Sequence, residues 1–387
     1  METALDSQPM TAHYSEHLFT QYGKAMTTAA PTARTPTRTL LVDAIRPLSD
    51  VDAWNRLLAW INPLWSANEI RARVVRRTEE SADTLSLWLR PNRHWRGHRA
   101  GQHVVLGVEI DGVLCRRVFS LSNSPRSGEL LRLTIQRQAG GGVTDWLHRH
   151  ARVGLIVGLS AADGDFVLPD PAPQRLLLIA GGSGITPMMA MLQQLADQAF
   201  AGEIFLLQLC RRTDQRLFAG ELADLAQRLP GLSVHVHASA GSGRLAAERI
   251  PELVPDPASF HTMLCGPESL MNDVATLWAG LGLAAQLDME RFAAPRPPSL
   301  PGPEKTIQAA ESEHMFTQFP GLTLLEAAEA AGLKPSFGCR AGLCRTCLCL
   351  KRSGTTRNLL TGLSSTRPDE WIQLCVSVAE SDLELSL

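Results

Sequence analysis

Four cysteines define the chemistry that this sequence specifies most narrowly. Three lie close together in the run CRAGLCRTC and the fourth lies further along the chain: Cys339, Cys344, Cys347 and Cys375. Thiolates in the spacing C-x4-C-x2-C, with a distant fourth on a strand, are typical ligands of a [2Fe-2S] cluster. Zinc is the alternative, but zinc sites usually contain two C-x2-C pairs and this run contains one. The spacing therefore predicts an iron–sulfur cluster.

The residues between these cysteines fit an anionic cluster. Gly338, Ala341 and Gly342 have small side chains, so backbone N–H groups can turn towards thiolate and sulfide. A further thiol, Cys349, follows Cys347 on a predicted strand. We interpret Cys349 as a buried core thiol, with a ligand role as the alternative.

A second group of residues could bind a phosphate-bearing cofactor. A predicted strand ends in a cation, an aromatic ring and a hydroxyl: Arg117, Val118, Phe119 and Ser120. A predicted helix opens on glycines and another hydroxyl: Gly141, Gly142, Val143 and Thr144. The N–H groups at a helix N-terminus carry partial positive charge, which attracts phosphate. Each motif alone could be an ordinary strand or glycine turn, but the two in this order predict a cofactor site.

A third group follows the apolar run RLLLIA, which predicts a buried parallel strand. The strand leads into a turn and a helix with four informative residues: Gly182, Gly184, Thr186 and Pro187. Strand, glycine turn and helix form the arrangement that cradles phosphate groups. A later strand, HTMLCG, ends in Cys265, Gly266 and Pro267. Alternating strands and helices in this part predict a doubly wound α/β sheet.

These motifs resemble those of the ferredoxin–NADP reductase superfamily, followed by a plant-type ferredoxin domain, over about residues 67–387. In that family the arginine binds the FAD pyrophosphate, the aromatic ring packs on the isoalloxazine, and the serine hydrogen-bonds the flavin nitrogen that accepts hydride. The resemblance implies these roles for Arg117, Phe119 and Ser120. Phe119 stands where tyrosine is commoner, which keeps the stacking and loses a hydroxyl contact.

The same resemblance implies the nicotinamide end of the site. In the family's cysteine–glycine–proline motif the cysteine, here Cys265, lies beside the nicotinamide carbon that gives up hydride. Glu290 and Phe292, in MERFAAP, match the closing E-x-F motif, where the chain passes the flavin edge. Ser120, Cys265 and Glu290 are therefore the predicted catalytic residues. A buried structural thiol is the alternative for Cys265.

Two arginines bear on the choice of nucleotide. The second strand of the α/β part ends at Arg211 and Arg212, and no acidic residue lies at its tip to accept from a ribose hydroxyl. Cations here suit a 2′-phosphate, which predicts NADPH rather than NADH. Solvated surface charge is the alternative for both side chains.

The elements that must position these groups predict three folded domains. They are an antiparallel β-barrel FAD domain, an α/β doubly wound nucleotide-binding domain and an α+β β-grasp ferredoxin domain. The expected segments are a disordered tail (1–38), a helical N-terminal extension (39–66), the FAD-binding β-barrel (67–172), the NAD(P)-binding domain (173–294), a Pro-rich linker (295–304) and the [2Fe-2S] ferredoxin domain (305–387).

Composition narrows the setting in which the chain works. A net charge of -2 gives no field that would attract nucleic acid or an anionic membrane surface. The cysteines outside the predicted cluster are scattered, which favours a reducing, cytoplasmic location. No segment is long and apolar enough to predict a membrane span. The opening METALDSQ lacks the pattern of a secretory signal or a transit peptide.

These cofactors together predict an electron-transfer enzyme. NAD(P)H delivers two electrons as hydride, an iron–sulfur cluster accepts one at a time, and a flavin connects the two. The layout resembles bacterial reductases that serve membrane-bound di-iron acyl-CoA desaturases. That resemblance implies a terminal electron-acceptor protein as partner, through which the reductase reaches the inner membrane.

Two other functions stay open at this point. One is the reductase component of a soluble Rieske or other oxygenase, and the other is a redox sensor whose cluster signals to a binding partner. Residues 39–66 are not required by the cofactors. They could determine which partner docks, or they could pack against the barrel.

Overall fold

The computed structural model describes residues 51–138, 142–292 and 303–387. The predicted tail (1–38) and most of the predicted linker (295–304) lie outside these ranges.

The first described element is the helix α1 (Val51–Ile61). Asn55 anchors it, because the Asn55 Oδ1 accepts from Ser66 Oγ and from the Ala67 N–H, each at 2.8 Å. Trp60 remains 85% exposed, so packing against the barrel does not cover this part of the apolar face. The packing interpretation of the extension is therefore wrong for the end of α1.

Six antiparallel strands make the next domain. They are β1 (Ile70–Ser81), β2 (Thr84–Pro91), β3 (His103–Ile110), β4 (Val113–Ser120), β5 (Leu131–Gln136) and β6 (Ile156–Leu159). Their order in the sheet is β4-β3-β6-β1-β2-β5. A bridge between Leu121 and Leu133 joins the two outer strands, which closes the sheet into a barrel. Asp111 and Gly112 both have positive φ (51° and 79°), as expected for the predicted hairpin turn between β3 and β4.

The barrel core follows from the alternation of side chains along its strands. Leu85, Leu87 and Leu89 of β2 point inwards and are fully buried. The helix α2 (Val143–His150) adds Val143 to the same core.

Five parallel strands form the second sheet, in the order β11-β10-β7-β8-β9. The strands are β7 (Arg175–Gly181), β8 (Glu203–Cys210), β9 (Leu232–Ala238), β10 (His261–Cys265) and β11 (Leu287–Glu290). The helices are α3 (Ile185–Asp197), α4 (Ala219–Arg228), α5 (Ser239–Ser242), α6 (Ile250–Leu253) and α7 (Glu268–Gly280). Alternate residues of β7 face two different cores: Leu178 packs in the core with α3 and α4, and Ile179 packs in the core with α6 and α7. The sheet is therefore covered on both faces, as a doubly wound fold requires.

The last domain combines a mixed sheet with one helix. The five-stranded sheet has the order β13-β12-β19-β14-β17 and consists of β12 (Lys305–Ala309), β13 (His314–Gln318), β14 (Leu348–Ser353), β17 (Glu370–Gln373) and β19 (Leu383–Leu385). A smaller sheet consists of β15 (Thr356–Asn358), β16 (Ser364–Ser365) and β18 (Ser377–Ala379). The helix α8 (Leu324–Ala330) starts with a capping box between Thr323 and Glu326. These three architectures confirm the predicted fold class.

A buried cation joins the barrel to the nucleotide domain. Arg132 of β5 is 2% exposed, and its Nη1 lies 2.6 Å from the Glu221 Oε1 of α4. Its Nε donates to the Ser122 carbonyl at 3.1 Å, and its guanidinium lies over the rings of Trp88 and Phe218. Arg132 and Trp88 belong to the barrel, whereas Glu221 and Phe218 belong to the nucleotide domain. The contact therefore holds the two domains together.

Within the three described ranges, no helix is long and apolar enough to cross a membrane.

Candidate functional site

The cysteine loop lies between α8 and β14, and β-sheet pairing brings the fourth cysteine to it. Leu348 of β14 pairs with Gln373 of β17, and the Leu374 N–H donates to the Cys347 carbonyl at 3.1 Å. Cys375 then lies on a single 3₁₀ turn (Leu374–Val376) that follows β17. The expectation of a ligand on a strand is wrong in this detail, because the chain turns at Leu374 to place the thiol against the loop.

The four thiols form two pairs. Cys339 hydrogen-bonds Cys344, which lowers the pKa of Cys344 to about 5, and Cys375 hydrogen-bonds Cys347, which lowers the pKa of Cys347 to about 7. The same hydrogen bonds and burial raise the pKa of Cys339 and of Cys375. In the described part of the chain, no three His, Cys, Asp or Glu side chains are placed to hold one metal ion. Two thiols on each of two irons is the ligand arrangement of a [2Fe-2S] cluster, so the donor set fits that group.

The backbone of the loop also fits an anionic cluster. The Ala341 and Cys344 N–H groups each donate to Cys339 Sγ at 3.3 Å, and the Cys339 N–H donates to Cys344 Sγ at 3.1 Å. A Cβ added at Gly338 would lie 2.7 Å from Cys344 Sγ, so only glycine leaves space there. The loop therefore needs small residues where the sequence has them.

Two features of the loop were not predicted. The Thr346 hydroxyl donates to Cys344 Sγ at 3.2 Å, a contact that a hydroxyl residue inside C-x2-C could have suggested. Arg345 adopts a left-handed φ of 54°, a conformation that residues other than glycine rarely adopt. Cys349 is buried in the core of the domain, where burial raises the pKa of its thiol to about 12.

The barrel contributes the predicted cation to the neighbourhood of the cluster loop. Arg117 lies on β4, and its Nη1 donates to the Gly338 carbonyl, one residue before Cys339. Val118 and Phe119 follow on the same strand, and Phe119 packs partly buried against the barrel core. The motif that begins at Arg117 and the cluster loop are therefore in contact.

The N-terminus of α2 is open, as a phosphate site requires. Gly142 precedes it with φ +83°, and among the described residues no side chain caps the helix and no atom lies within 4 Å of a Cβ built on Gly142. Thr144 is buried and accepts from the Gln138 N–H at 3.2 Å. Gly141 lies outside the described residues. The N–H groups of this turn are thus available to a phosphate oxygen.

The three predicted catalytic residues come together where the barrel meets the nucleotide domain. Cys265 of β10 pairs directly with Glu290 of β11, and Ser120 Oγ donates to Glu290 Oε2 at 3.2 Å. All three side chains are buried, and burial together with the Glu290 charge raises the pKa of Cys265 well above its ordinary value. His103, which the sequence reasoning missed, lies with its Nδ1 3.0 Å from Glu290 Oε1.

Two predicted motifs of the nucleotide domain pack directly against each other. A Cβ added at Gly184 would lie 2.1 Å from the Cys265 carbonyl oxygen and 2.9 Å from the Gly266 nitrogen. A Cβ at Gly181 would lie 2.7 Å from Pro267. The glycines therefore let the turn before α3 approach the end of β10.

The turn itself is held by its own residues and leads straight into α3. Gly182 starts a 3₁₀ turn (Gly182–Gly184) with φ +55°. Thr186 Oγ1 donates to the Ser183 carbonyl at 2.8 Å, and Pro187 occupies the first turn of α3, where no N–H is needed. The chain thus presents the helix N-terminus to the same edge of the sheet as Cys265.

An arginine directly after β11 has a buried nitrogen that suits a bound anion. The Nη1 of Arg291 is buried and has no hydrogen-bond partner within the described ranges. Phe292 packs partly buried against the core of the nucleotide domain. An orphaned cation beside Glu290 fits an anionic cofactor at this point.

The tip of β8 differs from its prediction. Arg212 is paired with Asp214, with Nε–Oδ1 at 2.9 Å and Nη2–Oδ2 at 2.7 Å, and this hydrogen bond lowers the pKa of Asp214. An acidic residue therefore does lie near the strand tip, four positions after Cys210. Arg211 is exposed, and no ion-pair partner for it exists among the described residues.

An open groove runs along this edge of the sheet, with a volume of about 610 Å³. It is lined from the tips of β8 and β9 by Arg212, Thr213, Asp214, Val236, His237, Ala238, Ala240, Gly241 and Ser242. In open α/β sheets ligands bind outside the carboxyl ends of the strands, so the groove suits the adenosine end of a nucleotide.

Comparison with known proteins places these sites in a family. The sequence matches the Oxidoreductase FAD-binding domain over residues 71–167, the Oxidoreductase NAD-binding domain over residues 178–276 and the 2Fe-2S iron-sulfur cluster binding domain over residues 307–380. An NADPH oxidoreductase of Mycobacterium tuberculosis is 34% identical over 330 residues, which is 84% of this chain and 86% of that protein. The chain belongs to the ferredoxin–NADP reductase family.

Two further relatives describe the kind of reductase. The glycine betaine monooxygenase reductase subunit of Pseudomonas aeruginosa is 28% identical over 314 residues, 74% of this chain and 86% of that protein. The solved structure of phthalate dioxygenase reductase aligns with a TM-score of 0.57 at 24% identity and covers 82% of this chain and 97% of that one, which shows a shared fold. This reductase is an NAD(P)H-dependent oxidoreductase with FAD and a [2Fe-2S] cluster as cofactors.

Proposed function

We propose that this reductase delivers electrons from NADPH to a membrane-bound di-iron acyl-CoA desaturase. The supporting observation is that one chain contains three separate sites: the open groove at β8 and β9, the Ser120–Cys265–Glu290 group, and the cluster loop that Arg117 contacts. Such a set of sites allows a reductant to bind at one of them and a protein acceptor at another.

In this proposal, different residues of the chain bind the nicotinamide and the FAD. Cys265 and the glycines of the turn before α3 shape the place where the nicotinamide lies, and Glu290 with Ser120 provides hydrogen bonds at the same place. Arg117 and the N-terminus of α2 bind the phosphates of FAD. When bound, FAD takes an electron pair from NAD(P)H and passes electrons on singly.

The cluster loop is where the protein acceptor docks in this proposal. Leu348, next to Cys347, is 43% exposed, and Trp371 across the β14–β17 pair is 60% exposed. Apolar side chains around a redox centre favour a close, dry contact with a partner protein. The exposed Trp60 of α1 is a second apolar surface that a membrane-bound partner could cover.

We favour the desaturase over a soluble oxygenase because the domain layout of the chain resembles that of bacterial reductases that serve acyl-CoA desaturases. Identity to the NADPH oxidoreductase, 34%, is higher than identity to the glycine betaine monooxygenase reductase subunit, 28%. The name of the more similar relative supports NADPH as the reductant and specifies no electron acceptor.

Reconstitution tests the partner directly. Membranes that contain an acyl-CoA desaturase, together with NADPH and this reductase, are expected to convert a saturated acyl chain into a monoenoic one. The Cys344→Ser variant is the control, because without the cluster it cannot pass electrons on. Turnover with a soluble Rieske oxygenase and none with the desaturase would move the assignment to the oxygenase.

A redox sensor is the function of a different class. A sensor has no need for rapid turnover, whereas the proposed reductase is expected to reduce cytochrome c continuously with NADPH. Steady-state reduction of cytochrome c therefore separates the two functions.

A further inference from the structure

A histidine outside the predicted motifs lies against the candidate catalytic group. His103 begins β3 and faces Ser120, the last residue of β4, across the antiparallel pair. Both side chains reach the carboxylate of Glu290 in the other domain. His103 Nδ1 lies 3.0 Å from Oε1, and Ser120 Oγ donates to Oε2 at 3.2 Å. Each carboxylate oxygen of Glu290 therefore has its own partner.

The surroundings of His103 hold its ring in place. The His103 N–H donates to the Asp163 carbonyl at 3.0 Å, and the Asp163 N–H donates back to the His103 carbonyl at 2.9 Å. Gly164 lies against the ring, since a Cβ added there would come within 2.8 Å of Nδ1. A side chain at Gly164 would press on the imidazole, so glycine leaves the ring the room to reach Glu290.

Charge gives this contact its importance. Glu290 is 6% exposed, and within the described ranges its ion-pair partner is His103. A carboxylate removed from water is costly unless it is paired or hydrogen-bonded. An ionised carboxylate only accepts hydrogen bonds, so when Glu290 is ionised the facing Nδ1 of His103 is the donor. The neighbouring Arg291 does not replace it, because no ion pair joins Arg291 to Glu290 among the described residues.

We propose that His103 is a positioning residue for hydride transfer. By holding one oxygen of Glu290, it keeps the other oxygen on the Ser120 hydroxyl and so fixes the direction of that hydroxyl. This inference rests on the proposed roles of Ser120 and Glu290. It adds His103, on the neighbouring strand β3, to Ser120 and Glu290, which the sequence motifs supply.

Two substitutions separate the hydrogen bond from the bulk of the ring. His103→Phe keeps an aromatic ring and removes the donor, whereas His103→Asn keeps an N–H close to the position of Nδ1. In single-turnover reduction of the bound flavin by NADPH, His103→Phe is expected to lower the limiting rate about tenfold to a hundredfold, as misplacement of a reacting group does. The half-saturating NADPH concentration and the FAD content stay unchanged. His103→Asn is expected to recover most of the rate.

A double-variant cycle tests whether His103 acts through Glu290. In the Glu290→Gln background, His103→Phe is expected to cause no further slowing, because the carboxylate that it positions is gone. His94→Phe is the matched control. His94 follows β2 of the same barrel and lies with its Nε2 3.0 Å from the Ser66 carbonyl, away from Glu290, so its replacement is expected to leave the rate unchanged.

Three results would contradict the inference. They are flavin reduction at the wild-type rate in His103→Phe, equal slowing by His103→Phe with and without Glu290→Gln, and no recovery by His103→Asn. If His103→Phe loses its FAD, His103→Gln takes its place, because its longer amide keeps the polarity and moves the N–H away from Glu290. Wild-type protein that does not reduce its flavin with NADPH would instead overturn the proposed function, and this inference with it.

Discussion

Cys265 is a thiol without access to solvent. It is fully buried at the end of β10, beside Glu290, and its carbonyl lies close to the Cα of Gly184. Burial and the Glu290 charge raise the pKa of Cys265, so the thiol stays protonated at neutral pH and acts through its shape.

We expect Cys265→Ala to slow flavin reduction by NADPH about tenfold to a hundredfold, because the nicotinamide loses a contact that fixes its distance. Single-turnover flavin bleaching measures this rate. Cys115→Ala is the control, since Cys115 lies on β4 and packs at the edge of the barrel core. An unchanged rate in Cys265→Ala would contradict the proposed role of Cys265 and leave it as a structural thiol.

At the scale of elements, the contact between β5 and α4 determines how firmly the barrel and nucleotide domain hold together. Arg132 is 2% exposed and its partner Glu221 is 39% exposed, so the side chain that the fold has taken out of water is Arg132. Arg132→Met removes its charge-assisted hydrogen bonds to Glu221 and to the Ser122 carbonyl, and is therefore expected to destabilise this pair of domains by about 1.5–3 kcal/mol. The control is Arg228→Met on the same helix, where the exposed pair with Asp197 is worth about 0–1 kcal/mol.

Chemical denaturation, followed by release of flavin fluorescence, compares the two variants. Equal midpoints for Arg132→Met and Arg228→Met would contradict the importance assigned to the buried Arg132. A shift confined to Arg132→Met would support it.

The tip of β8 carries the choice of nucleotide. Arg211 is exposed, whereas Arg212 is neutralised by Asp214, whose lowered pKa keeps it ionised at neutral pH. Arg211→Ala combined with Arg212→Ala is expected to raise the Michaelis constant for NADPH about tenfold or more and to leave that for NADH nearly unchanged, because a charge-assisted contact is worth about 1.5–3 kcal/mol.

Asp214→Asn provides the converse experiment at the same place. Without the carboxylate, Arg212 is free to meet a 2′-phosphate, so the Michaelis constant for NADPH is expected to fall. Equal effects of the arginine substitutions on NADPH and NADH would refute a phosphate site at this tip.

Sequence reasoning went furthest where the chemistry is local to one motif. The cysteine spacing indicated the cluster, and the alternation of apolar residues indicated the barrel and the doubly wound sheet, both of which are confirmed as fold and cofactor assignments. His103 was missed because its contact with Glu290 joins two domains far apart in the chain. The pairing of Arg212 with Asp214 was missed because the turn after β8 folds back, which a strand pattern does not indicate.

For the whole molecule, the central feature is that one chain combines a predicted hydride site with a predicted one-electron site. Arg117 of the barrel donates to the Gly338 carbonyl beside the predicted cluster ligand Cys339, so the barrel and the cluster loop are in contact. Electrons from NADPH are therefore expected to reach the cluster within the same chain. No second protein is needed for this step.

Paramagnetic resonance of the purified protein under anaerobic conditions tests this claim most directly. The protein contains one FAD and two irons per chain if the assignment is right. Addition of NADPH is expected to produce the rhombic signal of a reduced [2Fe-2S] centre, and Cys344→Ser is expected to reduce its flavin without that signal. Zinc in place of iron, or a cluster that dithionite reduces and NADPH does not, would contradict the account.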